Sequence, residues 1–251
     1  MTSIPQIINI TAKKTENCMV CGHELEYLQH PVEVTCNFCG KKDDSHIICP
    51  KEHYVCNDCH AADALKIIRQ LCLTTKSDNP MELAFTLMNH PIMPMHGPEH
   101  HGMIAGVIVV AYKNATGKLD ESAIEEAIGR GAKLPGGFCG LYGADAAAVA
   151  TGVALSVITG ATPMSDTEKS IANVMTARSL LAIANNRGPR CCKRSTMAAI
   201  ETATQYIREV LGVELGYIPA AKLKCGHSHR NKQCVGMKCR FFERVKKGSN
   251  N

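Results

Sequence analysis

Between Cys18 and Cys59 the chain carries four ligand pairs, each with two intervening residues: Cys18 and Cys21, Cys36 and Cys39, His46 and Cys49, Cys56 and Cys59. A Cys-x2-Cys turn aims both sulfurs at one point, and eight such ligands are what two tetrahedral zinc ions require. Gly22 and Gly40 directly follow two of the pairs, where a tight knuckle turn calls for positive φ. Few apolar residues accompany the ligands, so metal must supply most of the folding free energy here. Residues 1–60 are therefore expected to form a module holding two Zn2+. Sequential pairing would give a zinc ribbon followed by a second site, and alternate pairing an interleaved, cross-braced arrangement. His53 and His60 compete with His46 for the nitrogen position.

The remainder is long enough for one substantial core, since the chain has 251 residues of which 45% are hydrophobic. Trp is absent and aromatic residues make up 4%, while Ala is abundant, which favours closely packed helices over a β-sandwich. No run of about 18 apolar residues lacks charge, and Met1–Asn9 has no basic leader pattern, so a cytoplasmic protein with no membrane contact is expected. Fourteen cysteines in a reducing compartment argue for metal ligation rather than disulfides. The net charge of +5 is unevenly spread: from Lys222 to Lys247 nine Lys or Arg face only Glu243, a local +8 that leaves the rest near −3.

Residues 1–17 read as a short lead-in with strand character around Ile7–Thr11. Apolar residues at Ala61, Ala64, Leu65, Ile68, Leu71 and Cys72 keep a helical period and make Cys72 a core thiol. Ser77-Asp-Asn-Pro80 caps a helix from about Pro80 to Asn89. From His90 to Gly106, three prolines and three glycines predict a shaped loop feeding a buried helix, with His96, Glu99, His100 and His101 placed for acid–base work or, in a purely structural loop, as surface groups. An amphipathic helix is expected over Lys118–Gly131. The Gly-rich loop Lys133–Asp145 then leads into a small-residue run to Gly160 that reads as a helix buried on all sides, with Cys139 at its N-terminal mouth and inclined to thiolate. A further helix runs from Asp166 or Thr167 to about Asn186.

At Asn186–Ala199 a Gly-Pro break precedes Cys191, Cys192, Lys193, Arg194 and Ser195 and opens a long helix to about Leu211, bringing thiols, cations and free helix N–H groups together. After Pro219 the chain becomes a Cys-rich basic tail, residues 220–251, with Cys225, Cys234 and Cys239 spaced by nine and five positions amid Gly and polar residues. Alone, those cysteines fit a third zinc site with His227 or His229. Together with Cys139 and Cys191 they fit an iron–sulfur cluster.

Three stretches carry a family likeness. They are the Cys191-x-Lys-Arg-Ser-x-Met-Ala-Ala-Ile200 run, the Gly137-Phe-Cys139 turn entering an Ala-rich helix, and the Pro98-Glu-His-His-Gly102-x3-Gly106 loop. In these, residues from about Met95 to Leu211 resemble the α-domain of iron–sulfur L-serine dehydratases and, more distantly, cysteine desulfidases. The resemblance implies an all-helical domain, here 61–219, that holds a [4Fe–4S] cluster by three thiolates with one iron open as a Lewis acid. It would make Cys139 and Cys191 ligands, and Lys193, Arg194 and Ser195 a substrate seat. Leu180 stands where that family has a further cysteine, so the third thiolate falls to Cys192, Cys225, Cys234 or Cys239.

The fold class expected is mainly α: a serine-dehydratase-α-like helical domain between a double-zinc module and the basic tail. The function expected is an oxygen-sensitive [4Fe–4S] enzyme of sulfur metabolism, of lyase, desulfidase or sulfur-transfer type, acting on a small carboxylate or thiol or on sulfur in RNA. One of His96, His100 or His101 would be its acid–base group. The alternative is a zinc-binding nucleic-acid or protein interaction module without catalysis. Expected partners are a small-molecule substrate, RNA along the basic tail, and further copies of the chain in a homo-oligomer.

Overall fold

The computed structural model describes residues 16–243; the strand expected at Ile7–Thr11 lies outside these, as do the last lysines of the tail. The chain divides into two compact units, residues 1–56 and 57–251. The boundary therefore falls inside the last Cys-x2-Cys pair, and the tail belongs to the larger unit.

The smaller unit is built on a hairpin that the Cys spacing did not announce. Strands β1 (Glu26–Thr35) and β2 (Lys42–Ile48) pair antiparallel from Thr35↔Lys42 to Glu26↔Ile48, with an irregular register between Tyr27 and Val32. The hairpin turn is itself a metal knuckle: Cys36 N–H donates to the Lys41 carbonyl and Gly40 N–H to the Cys36 carbonyl, both at 2.9 Å. Cys18–Gly22 repeats this geometry, with Cys18 N–H on the His23 carbonyl at 2.7 Å and Gly22 N–H on the Cys18 carbonyl at 2.8 Å. Gly22 and Gly40 take φ of 72° and 71°, a region closed to most side chains.

Among its described residues the larger unit holds eight α-helices: α1 (Asn57–Thr74), α2 (Pro80–Asn89), α3 (Glu99–Thr116), α4 (Glu121–Ala132), α5 (Phe138–Leu141), α6 (Ala146–Thr159), α7 (Thr167–Asn185) and α8 (Cys192–Leu211). Their starts are chemically marked. Asn79 Oδ1 accepts from Met81 N–H and Glu82 N–H to cap α2, Asp120 caps α4, and Asp145 caps α6 by accepting from Ala147 N–H at 2.9 Å.

The helix enclosed on every side is α3, buried without interruption from Glu99 to Tyr112, rather than α6 as the small-residue run suggested. Residues Ser156–Thr159 of α6 are only half-buried. Contact between α3 and α4 relies on missing side chains: a Cβ on Gly131 would stand 2.7 Å from the His101 carbonyl oxygen and 2.9 Å from Gly102 Cα. The tail lies across this core with Leu223 and Phe241 buried, and Cys225 N–H donates to the Phe241 carbonyl at 2.6 Å. No helix among the described residues is long and apolar enough to cross a membrane.

Candidate metal centres and reactive cavity

Pairing in the zinc-type region is alternate. Cys18, Cys21, Cys49 and His53 form one group, and Cys36, Cys39, Cys56 and Cys59 the other, with all ligand atoms of a group within 4.8 Å of one another. Sulfur separations of 3.5 Å for Cys21–Cys49 and 3.6 Å for Cys39–Cys56 approach the ~3.8 Å edge of a tetrahedron with ~2.3 Å Zn–S bonds. Backbone N–H groups support the sulfurs: Val20 N–H on Cys18, Lys51 N–H on Cys49 and Cys56 N–H on Cys36, each at 3.4 Å. Burial pushes the Cys36 and Cys49 thiols up, yet these donors and the neighbouring Cys and His groups outweigh it and bring both down to about 6, which favours the metal-binding thiolate.

The nitrogen that joins the three sulfurs is that of His53, not His46. Strand β2 runs on past His46 and turns its Nδ1 to the Leu28 carbonyl at 3.2 Å, whereas His53 Nδ1 stands 3.8 Å from Cys49 Sγ. His60 is not a ligand either, since its Nδ1 is 3.3 Å from Glu99 Oε2. The Cys49-x3-His53 spacing was the available signal, masked by the apparent His-x2-Cys rhythm.

In the larger unit a small cavity of about 20 Å³ is lined by four thiols, Cys191, Cys225, Cys234 and Cys239, together with Arg194, His227 and Asn231. The same turn seen in the zinc knuckles recurs here: His227 N–H lies on Cys225 Sγ and Gly236 N–H on Cys234 Sγ, each at 3.4 Å. Asn231 Nδ2 donates to Cys191 Sγ at 3.4 Å, and Cys191 is the extended N-cap residue of α8. Burial raises the Cys191 and Cys225 thiols, and the proximity of the other cysteines adds to it. The four sulfurs are spread more widely than the ligands of either zinc-type group, for among the described residues those two are the sets that close to within 4.8 Å.

Cys139 and Cys192 are not with these thiols. Both line a separate cavity of about 530 Å³, walled also by His100, His101, Asp145, Leu180, Ser195 and the Arg187–Arg190 segment. Cys139 sits in the short α5 rather than at the mouth of α6, and burial together with the Asp145 carboxylate pushes its thiol up to about 11 instead of toward thiolate. Burial drives Cys192 to about 12. Leu180 lines the same cavity. Cys191 and Arg194 line both cavities, so the first turn of α8 is the wall between them.

The histidines separate into distinct roles. α3 begins at Glu99, earlier than the Pro-rich stretch suggested, so His100 and His101 belong to its first turn. His100 is spent on structure, with Nδ1 3.0 Å from Glu99 Oε1 and Nε2 3.0 Å from Lys193 Nζ. Burial raises the Glu99 carboxyl, but the hydrogen bonds from His100 and His60 outweigh it and hold the group well below the usual carboxylate range. Lys193, expected to meet substrate, is 0% exposed, its Nζ on His100 and the Met88 carbonyl, and burial lowers it to about 8. Ser195 Oγ donates to Asp145 Oδ2 at 2.9 Å, and His96 faces the tail, its Nε2 3.3 Å from Asn231 Oδ1. His101 remains: Nδ1–H donates to the Leu134 carbonyl at 2.9 Å, the side chain lines the large cavity, and burial keeps the imidazole neutral below its ordinary range. No hydrogen bond to its Nε2 is present among the described residues, and with Nδ1 carrying the proton that nitrogen is an acceptor.

Comparison with known proteins gives one family. The model of a family of unknown function (DUF5714) matches residues 68–242, a span that includes both cavities of the larger unit and stops short of the zinc-type groups. No curated protein matches the chain, and no solved structure does.

Proposed function

We propose, for a chain that belongs to the DUF5714 family, that it is a cytoplasmic iron–sulfur enzyme of lyase, desulfidase or sulfur-transfer type, with the small cavity as cluster site and the large cavity as substrate site. The observation that carries this reading is the convergence of Cys191, Cys225, Cys234 and Cys239 on one cavity whose wall is shared with the cavity that holds His101. An all-thiolate donor set is the chemistry of Fe–S clusters and zinc, and a set too widely spread for a single ion favours the cluster. N–H donors on three of the sulfurs are the interactions that tune such a centre. When bound, a cluster would supply electrons or, at an iron released from thiolate, a Lewis acid for a leaving oxygen or sulfur. This chain's own part is to take a proton at His101 Nε2, with Leu134 fixing the tautomer, and to exclude bulk water around it.

Anaerobic purification with iron, zinc and acid-labile sulfide analysis tests the assignment. About four iron and four sulfide per chain, with two zinc, are expected. Cys234→Ser should lose the charge-transfer colour and the sulfide, while Cys139→Ser should keep both. A colourless protein with zinc in the tail would sink the enzyme reading and leave a zinc-binding interaction module.

A further inference from the structure

We infer that the large cavity is a nucleotide site, taking a nucleoside monophosphate either free or as one residue of an RNA. This rests on the reading of that cavity as the substrate site and narrows it to a class. Its volume of about 530 Å³ falls in the range of sites that enclose ligands much larger than serine or cysteine, which would leave most of it to water. Its charge is one-sided. Arg187, Arg190 and Arg194 line it, against the single carboxylate of Asp145. That carboxylate is already engaged by Ser195 Oγ and Ala147 N–H. Arg187 is exposed, with no hydrogen bond or ion pair among the described residues, and guanidinium groups are the natural seat of a phosphate.

The stacking surface comes from a different element. Phe138 and Tyr142 flank α5 with ring centroids 4.9 Å apart and planes 17° from parallel, and Tyr142 is 64% exposed. The residues between and after them, Cys139, Gly140 and Gly143, are themselves cavity wall. The chain has no Trp and only five Phe and six Tyr, so a stacked pair with its tyrosine exposed, on the same short segment as three residues of the arginine-lined cavity wall, is a specific placement of scarce residues. Aromatic face plus cation is how proteins hold an unpaired base and its phosphate. His101 also lines the cavity, and with its Nδ1–H on the Leu134 carbonyl its other ring nitrogen is an acceptor suited to a base edge.

The test is anaerobic titration calorimetry of the full cluster-loaded chain with AMP, CMP, GMP and UMP, with a short single-stranded RNA, and with L-serine and L-cysteine. Saturable binding of at least one nucleotide is expected, weakening about tenfold in Tyr142→Ala and in Arg187→Ala and falling as salt rises. Both residues are exposed, so neither change threatens the fold. Tight binding of the RNA with weak binding of the monophosphates identifies the polymer as the source, and the reverse identifies the free nucleotide. Binding of the amino acids alone, no saturable nucleotide or RNA binding, or affinity untouched by both substitutions overturns the proposal. Nucleotide binding to a protein that lacks iron and sulfide would instead refute the cluster and keep this inference.

Discussion

His101 shows how one residue's surroundings select its chemistry. Three histidines fall within six positions of the sequence, but their partners differ: His101 lines the large cavity with only its Nδ1 bonded, to the Leu134 carbonyl, His100 is held between Glu99 and Lys193, and His96 is turned to the tail. Burial lowers His100 and His101 below the ordinary 6.5, and it lowers His96 and His227 to about 4, with nearby cations adding to the effect. In the unfolded chain these imidazoles take up protons below about pH 6.5, while in the native chain they stay neutral, so acid favours unfolding. Glu99 acts in the same direction at lower pH, because a carboxylate held below its usual range gives up its stabilisation as it is protonated. Thermal melting across about pH 8 to 5 should show stability flat at the alkaline end and falling below about pH 6.5, by at most ~1.4 kcal/mol per pH unit for each histidine. His101→Gln should flatten that slope, and an unchanged slope would show that the residue is not buried neutral.

At the level of elements, the close approach of α3 and α4 is the sharpest constraint. Gly131→Ala would drive a methyl into the backbone of His101 and Gly102, which cannot swing aside as a side chain end could. A loss of about 1–3 kcal/mol is expected, read by chemical denaturation, and since His101 belongs to the contacted turn, binding in the large cavity should weaken as well. Local signals made several elements legible: Asn79-Pro80 announced α2 to the residue, an amphipathic pattern marked α4, and the small-residue run after the Gly-rich loop marked α6. The hairpin β1–β2 was hidden because its turn is a metal knuckle, which in sequence reads as ligand spacing rather than as a strand reversal. The start of α3 was hidden by the prolines before it. Which thiols meet was legible only in part: that Cys191 and the tail belong together and Cys139 does not depends on how the tail crosses the helices, a long-range fact that no spacing encodes.

On the scale of the whole molecule, two units rely on different sources of cohesion. Residues 57–251 bury a continuous apolar core that includes Ile68, Leu87, Met103, Ile108, Ile128, Leu155 and Ile207. Among the described residues up to Cys56 the buried apolar groups are the candidate metal ligands Cys18, Cys36, Cys49 and Cys56 themselves. Removing zinc with a strong chelator should therefore unfold the first unit while far-UV helicity is largely retained, and limited proteolysis should cut within residues 16–56 and spare the rest. Simultaneous loss of the helical signal would show that the metals stabilise the entire chain. Within the larger unit, Cys191 and Arg194 line one cavity on one side and the other cavity on the other, separated by a single helical turn. Such a shared partition is a thermodynamic link. A guest that shifts this turn on one side changes the binding free energy on the other, and reciprocity requires the effect to run equally in both directions.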